Sequence, residues 1–244
     1  MKITALLSLF ASASAFAPAT QQSTSTTLNS DALKDLESFA TKSNPALNYY
    51  DPLNLVDLDF YDMGQDATIG FLRHAEIKHG RVAMAAFVGY CVQSNWHWPW
   101  KQSLDGSEWP SSDLSPEAQW DAIPGNAKWQ IFTVIAALEI WDETNGGLES
   151  GVHYMKGRQP GKYPSFQMFR DNVHFVLDLY DPFGFSKKMS AESKERRLVM
   201  EVNNGRLAMI GIFGFMAADA VPGSGKQYCN TWTFFLIFPK ECET

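Results

Sequence analysis

Two nine-residue stretches carry the side chains most able to do chemistry. EIKHGRVAM, Glu76 to Met84, places Glu76, Lys78, His79 and Arg81 within six residues. EVNNGRLAM, Glu201 to Met209, repeats the frame: Glu, two residues, His or Asn, then Gly-Arg-x-Ala-Met. Both lie where the chain otherwise reads as a membrane helix. An ionisable side chain is costly there and marks a functional site with a partner to be named. At about 100° per residue, Glu76 and Arg81 stand roughly 140° apart on one helix, and so do Glu201 and Arg206. Neither pair can close within its own helix. Two helices crossing about a two-fold axis solve this, with Arg81 reaching Glu201 and Arg206 reaching Glu76; the planar guanidinium fork suits a carboxylate. His79 and Asn204 follow their Glu by three residues, remain unpaired and face partly outward. A metal site built from protein alone needs several converging ligands. These donors face outward singly, which suits a metal that arrives with most of its ligands already in place.

The elements that must position these groups are three long helices. They are expected at about residues 67–95, 127–143 and 191–220, with Pro and Gly clustered between them. Asp66 and Ser190 are the expected N-caps of the first and third. Tyr50-Asp51-Pro52-Leu53 precedes the first motif and Tyr180-Asp181-Pro182-Phe183 the second, so the repeat includes an extended Asp-Pro segment. Repeated halves of a membrane protein often pack about a pseudo-two-fold axis. Gly80, Ala83 and Gly89, with Gly205, Ala208, Gly211 and Gly214, are small residues that let helices approach, or that make room for a flat ligand. No segment has about twenty uninterrupted apolar residues, so hydropathy alone scores these spans weakly. Charge sidedness speaks for a membrane. Residues 96–126 carry Lys101 against Asp105, Glu108, Asp113, Glu117 and Asp121, whereas the second connection carries Lys156, Arg158, Lys162, Arg170, Lys187 and Lys188. The positive-inside rule puts the second connection on the cytoplasm-equivalent side. Trp96-His97-Trp98-Pro99-Trp100 reads as an interfacial aromatic anchor.

The chain has 244 residues and a net charge of −7, which argues against a nucleic-acid partner. Cys91, Cys229 and Cys242 are scattered and indicate neither a disulfide framework nor a zinc site. The common P-loop, metalloprotease and nucleophile-elbow motifs are absent, so no enzyme is expected. Residues 1–31 read as presequence: Lys2, an apolar run, Ala13-Ser14-Ala15 as a cleavage site, then a Ser/Thr-rich, acid-poor tract. The junction from Ala13 to Pro18 resembles the two-part presequence of algae with red-lineage secondary plastids. Residues 32–224 are the expected helical unit. Residues 225–244 form an atypical tail, with an apolar β-like run from Thr233 to Phe238.

The doubled Glu-x-x-His/Asn-Gly-Arg, the Asp-Pro segments and the three-helix order resemble the light-harvesting chlorophyll-binding protein superfamily over about Tyr50 to Gly223. Tyr163 to Phe166 (YPSF) and Leu179 to Ser190 (LYDPFGFSKKMS) are most similar to the fucoxanthin–chlorophyll a/c proteins of diatoms and related algae. The resemblance implies an all-α membrane protein of three transmembrane helices, the first and third crossed about a pseudo-two-fold axis. It implies single axial ligands to chlorophyll magnesium: Glu76 and His79 on the first helix, Glu201 and Asn204 on the third, and Glu139 on the second, with Gln130 a weaker candidate there. The only metal is that magnesium. Gln93, fourteen residues after His79, is a further expected ligand, while the matching place on the third helix is Ala218 beside Asp219. Arg81 and Arg206 would hold the crossed carboxylates. Implied cofactors are chlorophyll a, chlorophyll c, fucoxanthin and related carotenoids, and lipids. Implied partners are the thylakoid membrane, other antenna subunits and the core of photosystem I or II. The N-terminus would be stromal and the C-terminus lumenal. The implied work is light harvesting; a photoprotective dissipating relative and a membrane scaffold or pigment-carrying assembly factor are the alternatives. His74 is expected as an interfacial residue near a helix start, His153 and His174 as loop residues, and Met84 and Met209 as packing.

Overall fold

The computed structural model describes residues 29–59, 61–144, 152–172, 178 and 181–221. The described residues form helices and short 3-10 turns, with no strand among them. In chain order the helices are α1 (Asn29–Ser43), α2 (Gln65–Gln93), α3 (Pro116–Ala122), α4 (Gly125–Glu143), α5 (Gln167–Asn172) and α6 (Ala191–Ala220). The three long helices are α2, α4 and α6. The tail from 225, with Cys229 and Cys242, and His174 lie outside the described residues.

The helix starts follow local chemistry. Ser190 caps α6, its hydroxyl accepting the Ser193 amide N–H at 3.3 Å. Ser115 caps α3 in the same way, and Pro116 supplies a preset first turn. Asp66 does not cap α2. The N-cap is Gly64, at φ 93°, and Asp66 lies inside the first turn with a buried carboxylate oxygen unpartnered. No side chain caps α2; Asp59 holds the turn before it, accepting the amides of Met63 and Gly64, both at 2.9 Å. At its far end α2 stops at Ser94 and Asn95, whose side chains bond back to Tyr90 O and Cys91 O.

The Asp-Pro segments are repeated in structure too. Asp51 accepts the amides of Leu55 and Val56; Asp181 accepts the amide and hydroxyl of Ser186. Three residues after each Asp comes a left-handed residue, Asn54 at φ 50° and Gly184 at φ 72°. Each is followed by a 3-10 turn, Leu55–Asp57 and Phe185–Lys188. In both copies the carboxylate holds a tight turn that delivers the chain toward its long helix. Hydrogen bonds to the charged form hold both carboxyls below their usual range, against burial at Asp51.

Helices α2 and α6 cross at glycine. A Cβ added to Gly205 would stand 2.8 Å from the Gly80 Cα. The repeat-related Ile77 and Val202 are buried beside this point, with Ala83. Toward the far end Phe215 stacks on Phe87 and Tyr90, ring centroids 4.9 and 4.8 Å apart, and Phe87 lies over Gly211. Gly89 and Gly214 have nothing near them, so they do not serve helix approach. Helix α1 packs on both α2 and α6. Helix α4 does not pack along either; it meets α2 through its C-terminal end, and α3 through Phe132 and Lys128. No helix among the described residues is long and apolar enough to cross a membrane by hydropathy.

The crossing gives a test. In Gly205→Ala the new methyl meets backbone, which must move, and the expected cost is about 1–3 kcal/mol. Gly205→Val should cost more. Thermal denaturation followed by circular dichroism reads both; an unshifted melting temperature for the valine variant would remove Gly205 from the contact.

Candidate functional site

The bridging residues come from the centres of α2 and α6. Arg81 Nε donates to Glu201 Oε1 at 2.6 Å, and Arg206 Nε donates to Glu76 Oε1 at 2.7 Å. The fork does not close on both oxygens of either carboxylate. The second donor of each guanidinium goes elsewhere: Arg81 Nη1 to Gly161 O at 2.6 Å, Arg206 Nη1 to Ser43 Oγ at 3.0 Å. Each arginine therefore joins both long helices to one connecting segment. Ser43 is tied further to α6 through a reciprocal pair of bonds with Asn203. The two glutamates are only half-buried, and Oε2 of each accepts no hydrogen bond within the described residues.

The other expected donors stay apart. His79 is exposed, and its Nδ1 lies 2.8 Å from Ala75 O. A carbonyl oxygen only accepts, so Nδ1 carries the proton and Nε2 of the neutral ring carries the lone pair. Asn204 and Gln130 are exposed, with no side-chain hydrogen bond within the described residues. Glu139 is engaged by Lys78 Nζ at 2.7 Å through Oε2, leaving Oε1. Gln93 is half-buried as the last residue of α2, with its side-chain amide unbonded. Among the described residues no three His, Cys, Asp or Glu converge as a metal site. Each donor can fill one position on a metal whose other ligands come with it.

A second polar centre was missed in the sequence. Asp142, near the end of α4, is fully buried. Its Oδ2 meets His74 Nε2 at 3.0 Å and Lys78 Nζ at 2.7 Å, and its Oδ1 accepts from Arg158 Nη2 at 2.8 Å. His74 is not interfacial: it is 3% exposed, between Asp142 and the loop. Its Nδ1 accepts the Gly161 amide at 3.1 Å, so Nε2 bears the proton and points it at Asp142. Tyr154 stacks flat on this ring at 4.0 Å, and its hydroxyl donates to Glu143. His153 uses both nitrogens as well, toward Met155 N and Glu143. Tyr163 donates to Leu138 O, and burial, with the charges of Asp142 and Glu139, pushes its phenol up to about 12. The cue was slight: Asp142 stands three residues after Glu139, at the end of a helix almost free of charge.

Large apolar side chains point away from these centres. Trp129, Phe132, Val134, Ile135 and Ile140 are exposed on α4, as are Leu207, Ile210, Phe213 and Met216 on α6. Apolar surface on this scale marks contact with lipid or ligand.

A family model described as Chlorophyll A-B binding protein matches residues 36–220. The chain is similar to fucoxanthin-chlorophyll a-c binding protein B, chloroplastic, of Phaeodactylum tricornutum: 34% identity over 222 residues, covering 90% of this chain and 95% of the relative. It is also similar to a fucoxanthin-chlorophyll a-c binding protein, chloroplastic, of Trieres chinensis, 30% identical over 233 residues and covering 92% and 97%. A similar protein from Macrocystis pyrifera, fucoxanthin-chlorophyll a-c binding protein E, chloroplastic, is 29% identical over 188 residues, covering 72% and 71%.

Asp142→Leu should cost about 3–5 kcal/mol, because it removes the buried carboxylate that Lys78, Arg158 and His74 share. Thermal denaturation is the readout, and a melting temperature equal to that of the parent chain would show that α4 is held by something else.

Proposed function

The chain belongs to the chlorophyll A-B binding protein family, and from that premise we propose that it is a light-harvesting antenna of the thylakoid membrane. It binds chlorophyll a, chlorophyll c and fucoxanthin-type carotenoid, and passes excitation to a photosystem. The relatives' names carry these pigments and the plastid location. The observation that carries the reading to residues is the pair of crossed glutamates, each neutralised through one oxygen with the other left over. The donor set fits the pigment. Glu76, Glu201 and Glu139 offer one carboxylate oxygen, His79 offers Nε2, and Asn204, Gln93 and Gln130 offer carboxamide oxygens. Chlorophyll supplies light absorption and excitation transfer once bound. The chain supplies one axial ligand per macrocycle, fixed spacing along stiff helices, and apolar walls that exclude water. Gly89 and Gly214, open on their helices, leave room for flat rings.

In this reading α2, α4 and α6 span the bilayer. At about 1.5 Å per residue, 29, 19 and 30 residues give roughly 43, 28 and 45 Å. A bilayer span takes about 17–25 residues, a range that α2 and α6 exceed and α4 falls within. The motif charges lower the hydropathy of α2 and α6, and the glutamates and arginines among them are paired across helices. The basic connection between α4 and α6 is stromal, together with the N-terminus, and the C-terminus is lumenal. Residues 32–224 are the pigment-binding unit, and 1–31 the plastid presequence.

Refolding residues 32–244 with a pigment extract of a chlorophyll a/c alga tests the reading. Carotenoid and chlorophyll c bands should appear in the excitation spectrum of chlorophyll a emission. Bound pigment without those bands would mean a carrier or scaffold, and a constitutively short fluorescence lifetime would mean a dissipating protein. His79→Val should bind one chlorophyll fewer and still fold; an unaltered count would remove that ligand. In right-side-out plastid thylakoids, protease added from the stroma should cut within residues 152–172 and spare 96–126. The reverse pattern would invert the topology.

A further inference from the structure

The four described histidines divide into two kinds. His74 and His153 use both ring nitrogens inside the protein. His79 and His97 use one nitrogen each, with the other free of any hydrogen bond within the described residues. His79 is already read as a ligand. His97 lies beyond the end of α2, in the Trp96–Trp100 run, and no role has been given to it.

Its surroundings fix its tautomer. Gln119 on α3 is 4% exposed. The Gln119 amide donates from Nε2 to Gln93 O at 3.1 Å and to Leu114 O at 3.0 Å. Both partners are carbonyls, so the orientation of the amide is determined and Oε1 is left as an acceptor. His97 Nε2 lies 3.2 Å from that oxygen and must donate. The neutral ring therefore carries its lone pair on Nδ1. A carbonyl oxygen that takes the distal N–H is how proteins orient a metal-ligating histidine. Here a buried glutamine, itself satisfied twice, does it.

The imidazole opens on a cavity of about 290 Å³, lined also by Gly89, Gln93, Trp98, Trp109 and Trp120. Trp109 is held in place by its indole N–H on Trp100 O at 2.8 Å. Flat aromatic walls, one lone-pair nitrogen and no second or third ligand exclude a bare cation site and suit a planar metal macrocycle. The volume is at the low end for small-molecule pockets, about 300–1,000 Å³, so the cleft holds one edge of a ring whose remainder faces lipid.

We propose that this cleft binds a further magnesium tetrapyrrole of the chlorophyll type, with His97 Nδ1 as its axial ligand and Gln119 as the positioning residue. The inference rests on the antenna reading above. Gln93 lines the same cleft, and its main-chain carbonyl helps anchor Gln119.

The full chain refolded with chlorophyll a/c pigment extract supplies the test, read by chlorophyll count and by absorption difference spectra. His97→Val should lose one chlorophyll and one red absorption band. His97→Gln keeps a donor atom, so it should hold the count and shift that band; it also decides the matter if the valine variant does not refold. A full count with His97→Val, or an unshifted band with His97→Gln, overturns the proposal and leaves the antenna reading standing. No chlorophyll on the parent chain would overturn both.

Discussion

A charge inside an apolar helix must be neutralised by something the helix itself cannot supply. Glu76 and Arg81 stand too far around α2 to meet, and Glu201 and Arg206 too far around α6. Each arginine can therefore be satisfied only by the other helix, and the bonds at 2.6 and 2.7 Å require close approach. Glycine at both crossing positions permits it, with Gly80 and Gly205 in backbone contact. The sequence repeat is matched by reciprocal bonds, because each motif supplies what the other requires. The symmetry extends outward through the second arginine nitrogens, to Gly161 O on one side and to Ser43 Oγ on the other. One electrostatic requirement thus fixes the helix pair and the segments that brace it. It also leaves each glutamate one free oxygen.

Helix α4 obeys a different rule. Among the described residues it does not pack along α2 or α6, and its polar attachment gathers at its C-terminal end, beside the contacts of Trp141 with Phe166 and Phe169. Asp142 gathers a histidine, a lysine and an arginine from two other elements, and Lys78 reaches Glu139 one turn away. Burial of so many charges is tolerable only because each is paired and hydrogen-bonded. The consequence is a hinge-like anchorage that leaves most of α4 free to present apolar surface. A helix packed tightly against its neighbours would leave no room between them for flat ligands.

Much of this was legible in the sequence, and what was not has identifiable causes. The long helices start and stop close to the expected residues because Ser190 and the Gly/Pro clusters are local signals. The crossed pairing was legible because angular phase excludes the alternative. Helix α3 carried a signal, Ser115-Pro116, but it is short and lay in a stretch read as loop. Helix α1 straddles the expected end of the presequence, where the Ser/Thr tract masked it. Asp66 failed as a cap because the helix begins one residue before it, at Gln65, with Gly64 at φ 93° as the N-cap. The Asp142 centre is non-local: its partners come from residues 74, 78 and 158, and no spacing announces that. His74 and His97 look alike in sequence, and only their hydrogen bonds tell the structural ring from the presented one.

The same distinction explains why hydropathy and the family reading point in different directions. Hydropathy scores one helix at a time and charges each ionisable residue as if it stood alone. On that measure no described helix is apolar enough to span a membrane. The crossed pairs are a property of two helices together, and their charge vanishes only in the assembled pair. What each helix then shows outward is Leu207, Ile210 and Phe213, or Val82 and Val88, beside the half-buried pairs. Glu76, Lys78 and Arg81 contribute to the score of α2, yet each has its charge met by another helix. A protein that holds its pigments by single donors must keep polar atoms within its spans. Pairing them between helices is what makes that compatible with a bilayer.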